Sequence, residues 1–417
     1  MSAGVNSMPI FHRLIIIAAA VALYTPVAMF TFGGTDLPLS DLVCVVGVIL
    51  SLNYVGLAFT RLLYLAIVLS IFAGLAIALS VKQDLDERTV FSIIYFYKPY
   101  FSIFVAFALV RNKAESAEFF RASVAIIFIV IAAIFTWILI FHSGLVRNDG
   151  DLNGAVFGLP LYGSAGVNSL AVYYLLLYFV VLYAKFIYPR LTRTQSVLRM
   201  LSLIMLSYMI MMSLSREAIV GFAALLGWYV YAVKQGVIQK VLITVVIVCG
   251  IGYALTFDAT QEMLASKTTQ IVEGIEEGDL DKISSGRLTL QSIALLQFSN
   301  NVAFGNGFHG FQLYDQTITG YDSIEGLSPH NQYVTTLWKM GAIAALPYLL
   351  ALCCLWRMMG AGRGSIHFIF FRALLIVVFV ILANLWDVLI IPNFGALLFF
   401  IWGVMISSSL QAAGVRK

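Results

Sequence analysis

The chain has 417 residues, 61% of them hydrophobic and 11% charged, with mean hydropathy +0.94 and a formal net charge of +4. Soluble domains carry roughly 25% charged residues, so this composition excludes a soluble enzyme built on one core, and with it disorder, collagen-like repeats and a secreted disulfide scaffold. A polytopic membrane protein remains, and the small net charge gives no reason to expect nucleic acid as a partner.

A span needs about 20 apolar residues, and hydropathy predicts about twelve spans. In chain order they are Leu14–Phe32, Ser40–Phe59, Leu62–Ser80, Val90–Val110, Ala122–His142, Val167–Ala184, Met200–Leu214, Glu217–Val233, Val241–Phe257, Tyr333–Trp356, Ala373–Ile391 and Gly395–Leu410. Long continuous runs of this kind are helices, because only a helix satisfies its own backbone within one lipid-exposed segment. The fold class is therefore all-α. Transmembrane helices 1–9 fall in 1–257, a large external loop in 258–332 and helices 10–12 in 333–417. The first run is too long for a cleavable signal and reads as a retained anchor. Met200–Leu214 and Glu217–Val233 form a tight hairpin with Arg216 near its tip. The cysteines, Cys44, Cys249, Cys353 and Cys354, all fall inside predicted spans, where they can neither staple a loop nor form a metal-ligand spacing.

Lys and Arg set the orientation. With both termini cytoplasmic, 16 of them fall on the inner side and 7 on the outer, which supports that topology and puts 258–332 outside. Within this loop Leu264–Glu276 has helical patterning, and Arg287–Phe298 reads as an amphipathic helix that could lie along the membrane surface. Gly305, Gly307 and Gly310 punctuate a turn-rich stretch, with His309 an ordinary loop residue among them. The chain re-enters the membrane at Ser328-Pro329-His330-Asn331.

Arg216, Arg287, His330 and Asp387 all fall at the outer edge. Ionisable groups at membrane ends are costly unless paired or bathed by a polar cavity. Guanidinium groups clamp phosphate oxygens bidentately, a histidine takes a proton from a hydroxyl near neutral pH, and a carboxylate fixes the imidazole or orients an acceptor. Each also has a plainer reading. Arg216 fits a snorkelling anchor, Arg287 a solvated helix face, His330 a turn residue before a span and Asp387 a helix-end carboxylate in water. Lys98, before Pro99 in mid-span, either lines a cavity or is tied to carbonyls that Pro99 frees; Lys339 lies deeper below His330. A transporter or flippase would need charges spread through the midplane and internal pseudo-symmetry, and neither is visible in the sequence.

Leu214-Ser215-Arg216, Ser285-Gly286-Arg287, Gly305-Asn306-Gly307-Phe308 and Pro329-His330-Asn331-Gln332-Tyr333 followed by Gly341 occur in that order, with Asp387 beyond them. From Leu214 to Asp387 this resembles the O-antigen ligase and O-antigen polymerase family. The resemblance implies glycosyl transfer on the periplasmic side of the bacterial inner membrane, from a glycan on undecaprenyl pyrophosphate. The acceptor would be lipid A-core for a ligase, or a second lipid-linked glycan for a polymerase, and the ligase pattern is the nearer. It further implies that Arg216 and Arg287 hold the pyrophosphate and that His330 activates the acceptor hydroxyl. Asp387 and Asn331 would support the site, and neither metal nor cofactor is needed. Lys98 and Lys339 are candidates for lining the cavity.

Overall fold

The computed structural model describes residues 9–25, 28–32, 35–38, 40–41, 44–46, 58–80, 87–110, 113–141, 167–187, 191–213, 215–232, 258–279, 284, 286–308, 329–359, 366–385, 387–389 and 392–412. Helix α1 (Ile10–Tyr24) ends at Thr25, whose backbone is extended (φ −97°, ψ 106°), as the residue before a proline must be. The chain then forms an antiparallel hairpin, β1 (Ala28–Phe32) with β2 (Thr35–Pro38). This corrects the first predicted span, Leu14–Phe32: its C-terminal part is strand, and the protein is helical apart from this hairpin among the described residues.

The helices that follow are α2 (Ala58–Ser80), α3 (Glu87–Leu109), α4 (Lys113–Phe141), α5 (Val167–Ile187), α6 (Arg193–Met212) and α7 (Arg216–Ala232). Beyond them lie α8 (Asp258–Glu277), α9 (Arg287–Asn300), α10 (Gln332–Met358), α11 (Ile366–Ile376) and α12 (Pro392–Ala412). α11 runs into a π-helical stretch, Val377–Leu382, and a last turn, Ala383–Leu385. Among the described residues three segments are long and apolar enough to cross a membrane: Ala114–Trp137, Arg193–Met212 and Gln332–Met358. Seven more helices contribute apolar stretches of 10–17 residues among the described residues. The predicted span Val241–Phe257 lies outside the described residues, as does most of Ser40–Phe59.

Two helices begin well before the apolar runs they contain, for polar reasons. α6 starts on a capping box: the Thr192 side chain accepts from Gln195 N while Gln195 Oε1 accepts from Thr192 N. α4 adds an N-terminal stretch whose Glu118 holds Arg13 of α1 and its own Arg121, both at 2.5 Å.

The core sits on α5 and α12. Every residue from Leu170 to Ala184 and from Phe394 to Ser407 is buried, so both helices are apolar on all sides and take the centre of the bundle. α12 lies along α3, with Gly403 so close that a Cβ there would stand 2.6 Å from the Cβ of Ala106. Small residues allow such approach between helices in an apolar medium. α10 lies along α2, where Ser70 Oγ donates to the Ala344 carbonyl.

Candidate active site

The site is assembled around a break in α10. Gly341 has φ 57° and ψ −179°, which interrupts the helix, and frees carbonyls before it and N–H groups after it. The glycine-rich part of the loop takes up both sets. Asn306 N donates to Trp338 O (2.7 Å) and Gly307 N to Lys339 O (3.1 Å), while Ala342 N and Ile343 N donate to the Val302 and Ala303 carbonyls (2.8 and 3.1 Å). Gly305 faces Gly341 across this exchange with φ 67°. A Cβ on either would lie 2.4 Å from the backbone nitrogen of the other, so both positions require glycine. Phe308 then enters the bundle, its ring edge-on to Phe96 at 5.4 Å. Lys339 Nζ donates to the Phe308 carbonyl at 3.0 Å and stands 5.8 Å from the Phe96 ring centroid.

α9 is placed by the same segment. Leu290 and Ala294, one turn apart, pack on Trp338, and Trp338 Nε1 donates to Gln297 at 2.8 Å. The predicted amphipathic helix therefore spends one apolar stripe on α10. Leu288, Leu295 and Leu296 stay exposed on another face. Gly286, with φ 80°, is the N-cap and turns the chain so that Arg287 opens the helix. The Arg287 guanidinium reaches two elements: Nη1 is 2.5 Å from Glu217 Oε1 and donates to the Leu385 carbonyl at 3.0 Å.

Glu217 is buried in the first turn of α7, next to Arg216, and its other oxygen accepts from Ser215 Oγ at 3.1 Å. Its part in the site was not read from the sequence. The signal was there: a carboxylate opening an apolar helix needs a partner, and the large loop is rich in polar groups. Arg216 begins the same helix, so the structure brings Arg287 to the helical turn that Arg216 opens. The Arg216 side chain lies outside the described residues.

His330 is half-buried and has φ 53°, a left-handed backbone that side-chain-bearing residues adopt at a cost. Asp387 holds it there. Its carboxylate accepts the backbone N–H groups of His330 and Asn331, and Thr335 Oγ1 at 2.7 Å. Asp387 is not within a helix, as its predicted span would have it. The helix ends at Leu385, and Asp387 stands in the turn before α12. Asn331 caps α10 through Oδ1, which accepts from Tyr333 N and Val334 N, while its Nδ2 donates to Asn384 O at 3.4 Å. Gln332 accepts from Leu389 N at 2.9 Å and Tyr333 Oη donates to the Phe379 carbonyl in the π-helical stretch, so the His330 turn is tied to α11 at several points.

Burial, with the Arg287 cation as second cause, pushes the His330 imidazole down to about 4; the Glu217 carboxylate opposes the shift. The side chain is therefore neutral at pH 7 and able to accept a proton. Lys98 sits elsewhere, buried in α3 and ion-paired with Asp41, and its carbonyl accepts from Cys44 Sγ. Among the described residues no three His, Cys, Asp or Glu side chains cluster so as to hold a metal ion.

The molecule is thus a helical protein with membrane-span character, in which an arginine, a neutral histidine and two carboxylates from four separated segments meet beside a docked loop. Residues 201–349, which are 149 of the 417, match the family model Wzy_C, described as O-antigen ligase, and this segment is a domain of that family. Arg216, Arg287, His330, Asn331 and Lys339 fall inside the matched segment and Asp387 beyond it. No curated protein matches the chain.

Proposed function

We propose that this protein transfers a glycan from undecaprenyl pyrophosphate to an acceptor hydroxyl on the periplasmic face of the inner membrane, as an O-antigen ligase acting on lipid A-core. The observation that carries the reading is the meeting of Arg287, Glu217 and His330. Arg287 presents a planar fork that suits the oxygens of a pyrophosphate, and Glu217 is ion-paired with it in the structure. The donor pyrophosphate displaces Glu217 from that fork, with Arg216 beside it as the second cation. Its negative charge offsets Arg287 and lifts the His330 imidazole toward working pH, where a general base is most effective.

His330 then removes the proton of the acceptor hydroxyl as that oxygen attacks the anomeric carbon. The bond from this carbon to the phosphate oxygen breaks, and undecaprenyl pyrophosphate leaves with its added charge held by the arginines. Asp387 and Asn331 position His330 through its backbone, and no metal or cofactor takes part. Twelve spans with both termini cytoplasmic and 258–332 outside give the site this orientation.

The test is purified protein with a defined undecaprenyl-pyrophosphate glycan, offered either lipid A-core or a second lipid-linked glycan. Transfer to lipid A-core is expected. Chain extension instead would make the protein a polymerase, and no transfer to either acceptor overturns the enzymatic reading.

A further inference from the structure

A groove of about 620 Å³ runs between α2, α10, α11 with its π-helical stretch, and α12. Leu62, Leu350, Ile376, Val380 and Trp402 are among its apolar walls; Tyr333 and Arg357, from opposite ends of α10, also line it. Several wall residues are open to the surroundings, with Val380 61% and Ile376 51% exposed. A second guanidinium stands beside the groove wall, at Trp356. Arg372 stands 5.9 Å from the ring centroid of Trp356, itself a wall residue, and Arg372 Nε is buried with no hydrogen-bond partner among the described residues. A buried donor of this kind calls for an acceptor.

The groove is therefore apolar along its length and cationic at the end away from His330. We propose that it binds an anionic phospholipid, with the phosphate on Arg357 and Arg372 and one acyl chain lying along α10 and α11 toward Tyr333. Charge complementarity selects the headgroup, since basic pockets between membrane helices take anionic lipids. This site is separate from the transfer reaction and does not depend on it.

Cys353 supplies a native probe, being a free, exposed thiol in the groove wall. In the delipidated full-length protein carrying Cys354→Ser, maleimide labelling of Cys353 is followed while phosphatidylglycerol, phosphatidylethanolamine or undecaprenyl phosphate is added. Phosphatidylglycerol should slow labelling at a concentration at least tenfold below that of phosphatidylethanolamine. The Arg357→Gln/Arg372→Gln protein should lose that preference while Arg357→Lys keeps part of it. Native mass spectrometry of Val380→Trp, which fills the groove without touching the arginines, should show less retained phosphatidylglycerol. Equal protection by the two phospholipids, a preference that survives the double substitution, or stronger protection by undecaprenyl phosphate would each overturn the proposal.

Discussion

His330 combines a strained backbone with a side chain held neutral by its surroundings, and two predictions follow from that. Replacing it with Gln keeps a polar side chain of similar reach but removes the proton acceptor, so transfer should drop by roughly a hundredfold or more while the protein still retains the donor. Single-turnover assays with donor-retention measurements separate these effects; transfer at near wild-type rate would leave His330 a turn residue only. The second concerns pH. The folded-state value near 4 lies below the ordinary 6.5, so between those limits the unfolded chain binds a proton at this position and the folded chain does not. Stability contributed here is complete above pH 6.5 and lost as pH falls toward 4. The donor-free His330→Gln protein should show a flatter dependence of its thermal midpoint across that window. Arg287→Lys keeps the charge and loses the fork, and should cost most of the activity. At this scale the sequence named Arg287, His330 and Asp387 from charge placed at membrane ends. Glu217 and Thr335 were not legible, because which loop residue docks on which helix end is decided by tertiary folding. The Asp387 link to the His330 backbone was hidden for the same reason: a carboxylate beside a histidine in space suggests imidazole contact, and a left-handed turn cannot be read from Pro-His-Asn.

Among the elements, α10 depended most on information beyond its own residues. Its apolar run reads as one continuous span, and Gly341 within it as a tolerable glycine. The break became visible only with the loop in place, since its hydrogen-bond partners, Val302, Ala303, Asn306 and Gly307, precede it by some 35 to 40 positions. Gly341→Ala should be severely destabilising: at φ 57° and ψ −179° the backbone is in a region essentially confined to glycine, where a side chain costs roughly 1–3 kcal/mol, and the added Cβ meets backbone at 2.4 Å, which cannot move aside as a side chain would. Limited proteolysis within 301–308 should become faster as the loop detaches. Trp338→Phe removes the hydrogen bond to Gln297 and part of the buried ring packed on Leu290 and Ala294, and should lower stability by about 1 kcal/mol or more, measurable as a fall in thermal midpoint. The early starts of α4 and α6 had legible causes in hindsight. Thr192 and Gln195 stand at capping-box spacing, and the Glu115, Glu118 and Arg121 side chains are those of a polar helical turn.

For the whole molecule, composition alone decided between membrane and soluble architecture, and the order of short motifs pointed to the family whose domain covers 201–349. The charge bias adds a topology that labelling can check. A cysteine placed at the exposed Asp279, at the end of α8, should react with an impermeant thiol reagent in intact spheroplasts, whereas reaction only after permeabilisation would invert the orientation. The hairpin after α1 was hidden because Ala28–Phe32 is as apolar as any helix, and hydropathy does not distinguish strand from helix over so short a run. The exchange between the glycine loop and the broken α10 also bears on biogenesis. Backbone groups left unsatisfied in lipid cost several kcal/mol each, so the first half of α10 has no stable form of its own beyond Gly341 until 302–307 lies against it. The loop leaves the ribosome first, and under the proposed topology it is already on the far side of the membrane when α10 arrives. It would then serve as a template on which the last part of the bundle is completed, so a chain that failed to export the loop would fail to finish its membrane domain as well.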